Sequence, residues 1–339
     1  MTRVACIDIG TVTARLAIAD VEAGRVVRLG KQSTICNLGE GVDASHMLKQ
    51  EAMERVFLAC RGYVEAAREA GVQGICCTLT SAARDAKNAG ELGAALASLG
   101  LEPMVIPGQI EGALTFLGVA QDFRDQRILV ADNGGGSTEL ACGSLNGNVL
   151  DLVFVESVDV GCRRLTEKFF SASPTAGEKD LAAAHACAAE RFAPVVERGG
   201  LAAGGADAPT TLVVTGGTVT TLVALDLALD PYDPSRVHLA RLSRQKVAEL
   251  EARLAALTVD QRAALPGIQA KRAPVILGGA SAVLELMDQT GFDQLTVSES
   301  DLLFGLSLVA AATLEGAPSA VVWKPIMKTL EPGGKQAAK

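Results

Sequence analysis

No stretch of the 339-residue chain reads as a membrane span, since none reaches the ~18 consecutive apolar residues that a spanning helix requires. The opening MTRVACIDIG lacks both the charged start and the long apolar core of a signal peptide, so the expected location is cytoplasmic. Eight cysteines occur singly or as the pair Cys76 and Cys77, never as C-x-x-C, which removes the usual zinc and redox readings. Positive charge is scarce. A net charge of −8 and a pI near 5.1 argue against a basic nucleic-acid-binding face, although a local cationic pocket for a polyanion stays compatible with them. A G-x-x-x-x-G-K-[ST] sequence is also missing, so the chain is not a P-loop protein. What remains is 49% hydrophobic and 21% charged, long enough for about two domains, each with a sizeable core.

The chain does contain an internal repeat. CIDIGTVTARLAIA (residues 6–19) lies over VADNGGGSTELACG (residues 130–143) without a gap. Asp8 then falls on Asp132, Gly10 on Gly134, Thr11 on Gly135 and Thr13 on Ser137. Each copy follows β-prone residues and leads into alternating apolar positions, so each reads as strand, Gly-rich turn, strand, turn, strand. Two such units predict two related α/β domains facing each other across a cleft. We place the first at residues 1–122, completed by an apolar helix near 301–315, the second at 123–312, and a tail at 316–339. Helical spacing with a terminal Gly71 predicts a helix from Asp43, and residues 72–80 and 100–108 read as strands. In the second half, residues 173–200 and 243–257 read as helices, and TTLVVTGG (210–217) as a strand leading into a helix.

Consecutive glycines after a strand let several N–H groups point into one concave space, an anion nest. Gly10, Thr11 and Thr13 in one copy, with Gly134, Gly135, Gly136, Ser137 and Thr138 in the other, are therefore expected to bind phosphate. Asp8 and Asp132 at the strand ends, joined by Glu139, would hold Mg²⁺ (or Mn²⁺) rather than repel the phosphates. A lone GGGS would be read as a tight turn; its duplication favours phosphate. The later TGGT turn adds Gly216, Gly217 and Thr218.

Paired phosphate turns with a third Gly-rich turn resemble the layout of the actin, Hsp70 and sugar-kinase superfamily, whose two ribonuclease H-like domains enclose a cleft. TSAARDAKNAGE (80–91), IPGQIEGALTFLGV (106–119), DNGGGSTEL (132–140) and VGCRRLTEKF (160–169) narrow this. Together with NLGEGVDASHML (37–48) they resemble the exopolyphosphatase and guanosine pentaphosphate phosphohydrolase (Ppx/GppA) family, from about Val4 to Gly305. The resemblance implies a Mg²⁺-dependent phosphoanhydride hydrolase, expected to be a homodimer. It would release terminal phosphate from inorganic polyphosphate or, with the same apparatus, from guanosine pentaphosphate (pppGpp). A superfamily kinase and a non-catalytic polyphosphate or alarmone sensor are the rival readings.

By motif position, the family's catalytic glutamate is Glu111, with Gly112 where an alanine usually stands. Hydrolysis requires a water in line with the terminal phosphorus and a base for its proton. Arg84 matches the arginine of T-S-A-x-R-x-A-x-N, and its fixed charge suits the transferring group. Lys87 and Arg164 are expected to line a polyphosphate path, Arg163 and Lys168 to be solvated. His46, His185 and His238 fall in no matched motif and are read as non-catalytic. Three departures stand out: Val12 in a D-x-G-S-N-S-like loop, Asn133 where isoleucine or valine is usual, and SESDLLFG (298–305) in place of a charged motif.

Overall fold

Both copies of the repeat fold into antiparallel three-stranded ribbons that seed the two sheets of the computed structural model, which describes residues 1–330. In the first copy, β1 (Thr2–Ile9) is buried along nearly its whole length. It pairs antiparallel with β2 (Thr13–Glu22) and parallel with β4 (Gly74–Leu79). A strand flanked on both sides and covered on both faces must be apolar throughout, and VACIDI is close to that. β3 (Arg25–Ile35) is the exposed edge, and β5 (Pro103–Val105) closes the other side in the order β3-β2-β1-β4-β5.

The second sheet repeats that order and extends it by one strand. β6 (Ile128–Asn133), β7 (Thr138–Asn146) and β8 (Val149–Val158) form the ribbon, followed by β9 (Thr211–Thr215), β10 (Arg241–Ser243) and β11 (Gln294–Ser298). The strand order is β10-β11-β9-β6-β7-β8.

Two compact units result, Met1–Ile106 together with the chain from Leu303 onward, and Pro107–Leu302. The division falls at Ile106 rather than at the expected residue 122. The reason is the helix Gly108–Val119, which packs on β6, β7 and β8 of the second sheet. Each unit has its own apolar core. That of the second is organised by the helix Ile276–Thr290, which packs on the helices Cys162–Phe169, Glu178–Gly199, Gly217–Asp226 and Arg244–Ala255.

The helix expected from Asp43 is interrupted. A short helix Val42–Ser45 ends at His46, whose φ is +53°, and a second runs Gln50–Glu69. Asn88 holds the break open: its Oδ1 accepts from the Leu48 N–H at 2.8 Å, and its Nδ2 donates to the Leu48 carbonyl at 3.1 Å. The asparagine of the matched motif is thus a backbone clamp. The expected tail reaches residue 339; its last part, 331–339, lies outside the described residues.

Candidate phosphate-binding and catalytic site

The two repeat turns have the same backbone construction. The Gly10 N–H donates to the Thr13 carbonyl at 3.0 Å, and the Gly134 N–H to the Ser137 carbonyl, also at 3.0 Å. Behind each turn, carbonyls are tied down by the segment that follows the third strand. Thr11 O accepts from Gly39 N, and Val12 O from Cys36 N and Asn37 N, all at 2.9 Å. In the second unit, Gly134 O accepts from Cys162 N at 3.0 Å, and Gly135 O from Arg163 N and Arg164 N at 2.9 and 3.2 Å. Arg164 adds a side-chain bond, Nε to the Gly136 carbonyl at 2.8 Å.

Fixing the carbonyls on one side aims the amides to the other, which is the condition for an anion nest. Among the described residues, the N–H groups of Gly135 and Gly136 donate to no backbone carbonyl. None of residues 134–136 has a positive φ. The triplet is therefore not glycine for the sake of left-handed backbone.

The expected catalytic residue sits in the first turn of the helix Gly108–Val119, and the side chain of Glu111 is buried. The helix lies close on the sheet. A Cβ built on Gly112 would come 2.9 Å from Val155 Cγ1 and 3.4 Å from Glu139 Cβ, so an alanine would push the helix off β7 and β8. One turn further along, Thr115 donates its hydroxyl proton to Asp132 Oδ2 at 3.0 Å.

Asp132 and Glu139 are directly paired across β6 and β7, and both are buried. Ser137 and Ser157 each donate to Glu139 Oε1 at 2.7 Å. Glu111, Asp132, Glu139 and the glycine triplet thus come from neighbouring elements of one unit. Two close buried carboxylates with hydroxyl supports suit a hard cation. Mg²⁺ is commonly held by one or two carboxylates, completed by water and phosphate oxygens.

Asp8 differs from this pair. Its cross-strand partner is Arg15, whose Nε and Nη2 both donate to Asp8 Oδ2, at 3.0 and 2.6 Å. Thr78 Oγ1 lies 3.5 Å from Oδ1. With a guanidinium on its carboxylate, Asp8 does not fit as a metal ligand, and we drop it from that set.

Arg84, on the short helix Ser81–Asp85, is half-buried and donates Nη1 to the Ile106 carbonyl at 3.1 Å. Lys87 and Lys168 are exposed. Arg163, expected to be solvated, is instead buried, with Nη1 on Glu167 Oε1 at 3.0 Å.

The third turn lies next to Asp132: a Cβ on Gly216, whose φ is +109°, would come 3.4 Å from Asp132 Oδ1. At Gly217 an added Cβ would strike the guanidinium of Arg272. A cation beside the N-terminus of the helix Gly217–Asp226 meets the positive end of the helix dipole, and that arrangement favours an anion between them. Arg272 falls in no matched motif, and its place beside the Gly217 turn shows only in three dimensions. Asn133 donates Nδ2 to Thr138 Oγ1 at 3.0 Å, and Thr138 donates on to the Val160 carbonyl at 2.6 Å. The polar residue in an apolar slot therefore belongs to the backing of the turn.

The histidines lie in no such constellation. His185 is clasped between Glu251, at 3.0 Å from Nε2, and Glu285, at 2.9 Å from Nδ1. The two carboxylates raise its pKa to about 9 against the opposing effect of burial, with Glu251 the larger contributor. His238 Nδ1 accepts from the Glu299 N–H at 3.2 Å.

Two mixed sheets built on one repeat, with glycine-rich turns at corresponding strand ends, define an α/β protein with the actin-like ATPase-type fold. Over residues 17–308 the sequence matches the Ppx/GppA phosphatase family, and the chain belongs to it. It is 36% identical to exopolyphosphatase 2 of Mycobacterium tuberculosis, covering 92% of this chain and 99% of the relative. Among solved structures, it resembles an exopolyphosphatase of Cytophaga hutchinsonii with a TM-score of 0.80 at 26% identity, covering 94% of this chain and 99% of the other. It also resembles the Aquifex aeolicus Ppx/GppA family member, with a TM-score of 0.75 at 29% identity over 94% and 99%. The chain is accordingly a phosphoanhydride hydrolase. Among the described residues, no helix is long and apolar enough to cross a membrane.

Proposed function

We propose that the protein is an exopolyphosphatase that removes terminal orthophosphate from inorganic polyphosphate. The observation that carries this reading is the meeting, within one unit, of the Glu111 helix, the Asp132–Glu139 pair and the glycine triplet. The similarity to an exopolyphosphatase over nearly the whole of both chains supports the choice of substrate.

In this reading, the amides of Gly135 and Gly136 receive phosphate oxygens, and Arg272, in the same unit, neutralises charge on the polyanion. Glu111 takes the proton of a water aligned with the terminal phosphorus, so that water oxygen bonds to phosphorus as the bridging oxygen departs on the shortened chain. Asp132 and Glu139 would hold a divalent cation, Mg²⁺ or Mn²⁺, which when bound screens the phosphates and stabilises charge on the leaving oxygen.

Phosphate release from polyphosphate and from guanosine pentaphosphate, measured side by side with and without chelator, tests the proposal. Divalent-dependent release with a higher kcat/KM on polyphosphate is expected. A preference for the nucleotide would move the assignment to the 5′-phosphohydrolase reading, and tight binding of either without turnover would make the protein a sensor.

A further inference from the structure

Hydroxyls inside the helices of this chain mostly bond to the carbonyl one turn back. Thr166 donates to Cys162 O, Thr221 to Gly217 O, Thr290 to Leu286 O, Ser307 to Leu303 O and Thr313 to Val309 O, at 2.6 to 2.8 Å. This is the ordinary fate of a helix hydroxyl, which has a carbonyl within reach at i−4. Thr115 breaks the pattern. It lies in the middle of the helix Gly108–Val119, is 1% exposed, and gives its proton to Asp132 Oδ2 at 3.0 Å.

We propose that Thr115 is a positioning residue, which fixes the Asp132 carboxylate for a divalent cation and couples it to the helix that carries Glu111. Glu111 and Thr115 are four residues apart, so they occupy the same helix face one above the other. The hydrogen bond also makes the two carboxylate oxygens inequivalent. Oδ2 is held towards the helix, and Oδ1 lies on the side of the Gly216 turn, where an added Cβ would stand 3.4 Å away. A carboxylate so held presents one defined oxygen instead of rotating between two. Partners that orient a metal-binding side chain in this way are typically worth ~10–100-fold in metal affinity.

The inference rests on the reading of Asp132 as a cation ligand, and the test separates the two. Mn²⁺ binding to the substrate-free protein is followed by electron paramagnetic resonance for Thr115→Val, Thr115→Ser and Asp132→Asn, with melting temperatures on the same samples. Thr115→Val should weaken Mn²⁺ binding ~10-fold or more, while Thr115→Ser, which keeps the hydroxyl, should bind close to the parent. If valine at this buried position prevents folding, Thr115→Ala takes its place, with the same expectation. Unchanged Mn²⁺ affinity in Asp132→Asn would refute the ligand reading itself. Weakened binding in Asp132→Asn with parental binding in Thr115→Val would leave the ligand and overturn the inference. Equal weakening in the serine and valine variants would also overturn it, because the hydroxyl would then not be the cause.

Discussion

Asp8 and Asp132 occupy the same place in two copies of one repeat, yet they face opposite partners. Across β1 and β2, Asp8 meets Arg15; across β6 and β7, Asp132 meets Glu139. The backbone has stayed the same, down to the 3.0 Å bond that closes each turn. Even the residue packed behind the turn corresponds: added Cβ atoms on Gly39 and Gly161 would strike Thr11 and Gly135, which are equivalent positions. What differs is charge. The first turn neutralises its own aspartate. The second sets like charges opposite each other, an arrangement that destabilises a sheet unless something compensates it. Two carboxylates kept together in a buried place are therefore an argument for a cation, and for the second unit as the seat of the chemistry.

The comparison is tested most severely at Glu111, on the second unit's helix. Glu111→Gln should reduce kcat by roughly two to four orders of magnitude, the range for loss of a general base, with little change in KM or melting temperature. A variant that turns over at near the parental rate would remove Glu111 as the base and, with it, the reason to place catalysis in this unit.

The two aspartates should then respond in different ways. Asp132→Asn should shift the divalent-ion requirement upward and leave stability nearly intact. Asp8→Asn removes one side of a charged hydrogen bond on a group that is 1% exposed. It should destabilise by about 1.5–3 kcal/mol, with unchanged ion dependence in the folded fraction. Metal titrations of activity and thermal melts on both variants decide the matter; equal shifts in ion dependence would dissolve the distinction between the turns.

A milder pair exchanges character between the turns themselves. Gly135→Val puts a side chain where amides must approach phosphate, and should raise KM with a smaller effect on melting. Val12→Gly, at the corresponding turn, empties a position that is 5% exposed. It should lower stability by about 1–2 kcal/mol through lost burial and alter kinetics little. The reverse order of effects would return the triplet to a simple turn.

Much of this was legible in the sequence because it is local. The repeat and its strand-turn-strand reading need only spacing and residue type, whereas Glu111 was singled out by the family resemblance of its motif. The cross-strand partner of Asp8 is also implied by the alignment, since Arg15 falls on Glu139. The consequence escapes until the strands pair and both Arg15 donors land on one carboxylate oxygen. Arg272 and Thr115 were not legible. Arg272 lies far along the chain from the turn it touches, and Thr115 reads as one more apolar-face residue of a helix. The helix Ile276–Thr290 is buried on almost every side, and periodicity alone does not say which elements a buried helix packs against. The helix Gly108–Val119 follows the first sheet in sequence but packs on the second, which its own spacing does not announce.

The last contrast between the units is their response to pH. The first unit's buried pair uses arginine, which stays charged over the whole accessible range. The second unit ties three helices together through His185, on the helix Glu178–Gly199, with Glu251 and Glu285 from the helices Arg244–Ala255 and Ile276–Thr290. Ser281 adds a 2.5 Å bond to Glu251, and Gln289 one of 2.7 Å to Glu285. Folding raises the His185 pKa from 6.5 to about 9. A group bound more tightly to its proton in the folded state stabilises that state fully below the unfolded pKa, and the contribution disappears as pH rises through the folded one. The clasp should therefore be complete at pH 6 and lost by about pH 10, leaving two carboxylates facing a neutral ring. Melting temperature against pH, for the parent and for His185→Gln, isolates this from other titrations. The gap between the two curves should be largest below pH 6.5 and shrink steadily through pH 9, with loss of amide protection first in the three clasped helices. A gap that stays constant with pH would mean that the imidazole is held by packing alone, and its charge would then stabilise nothing.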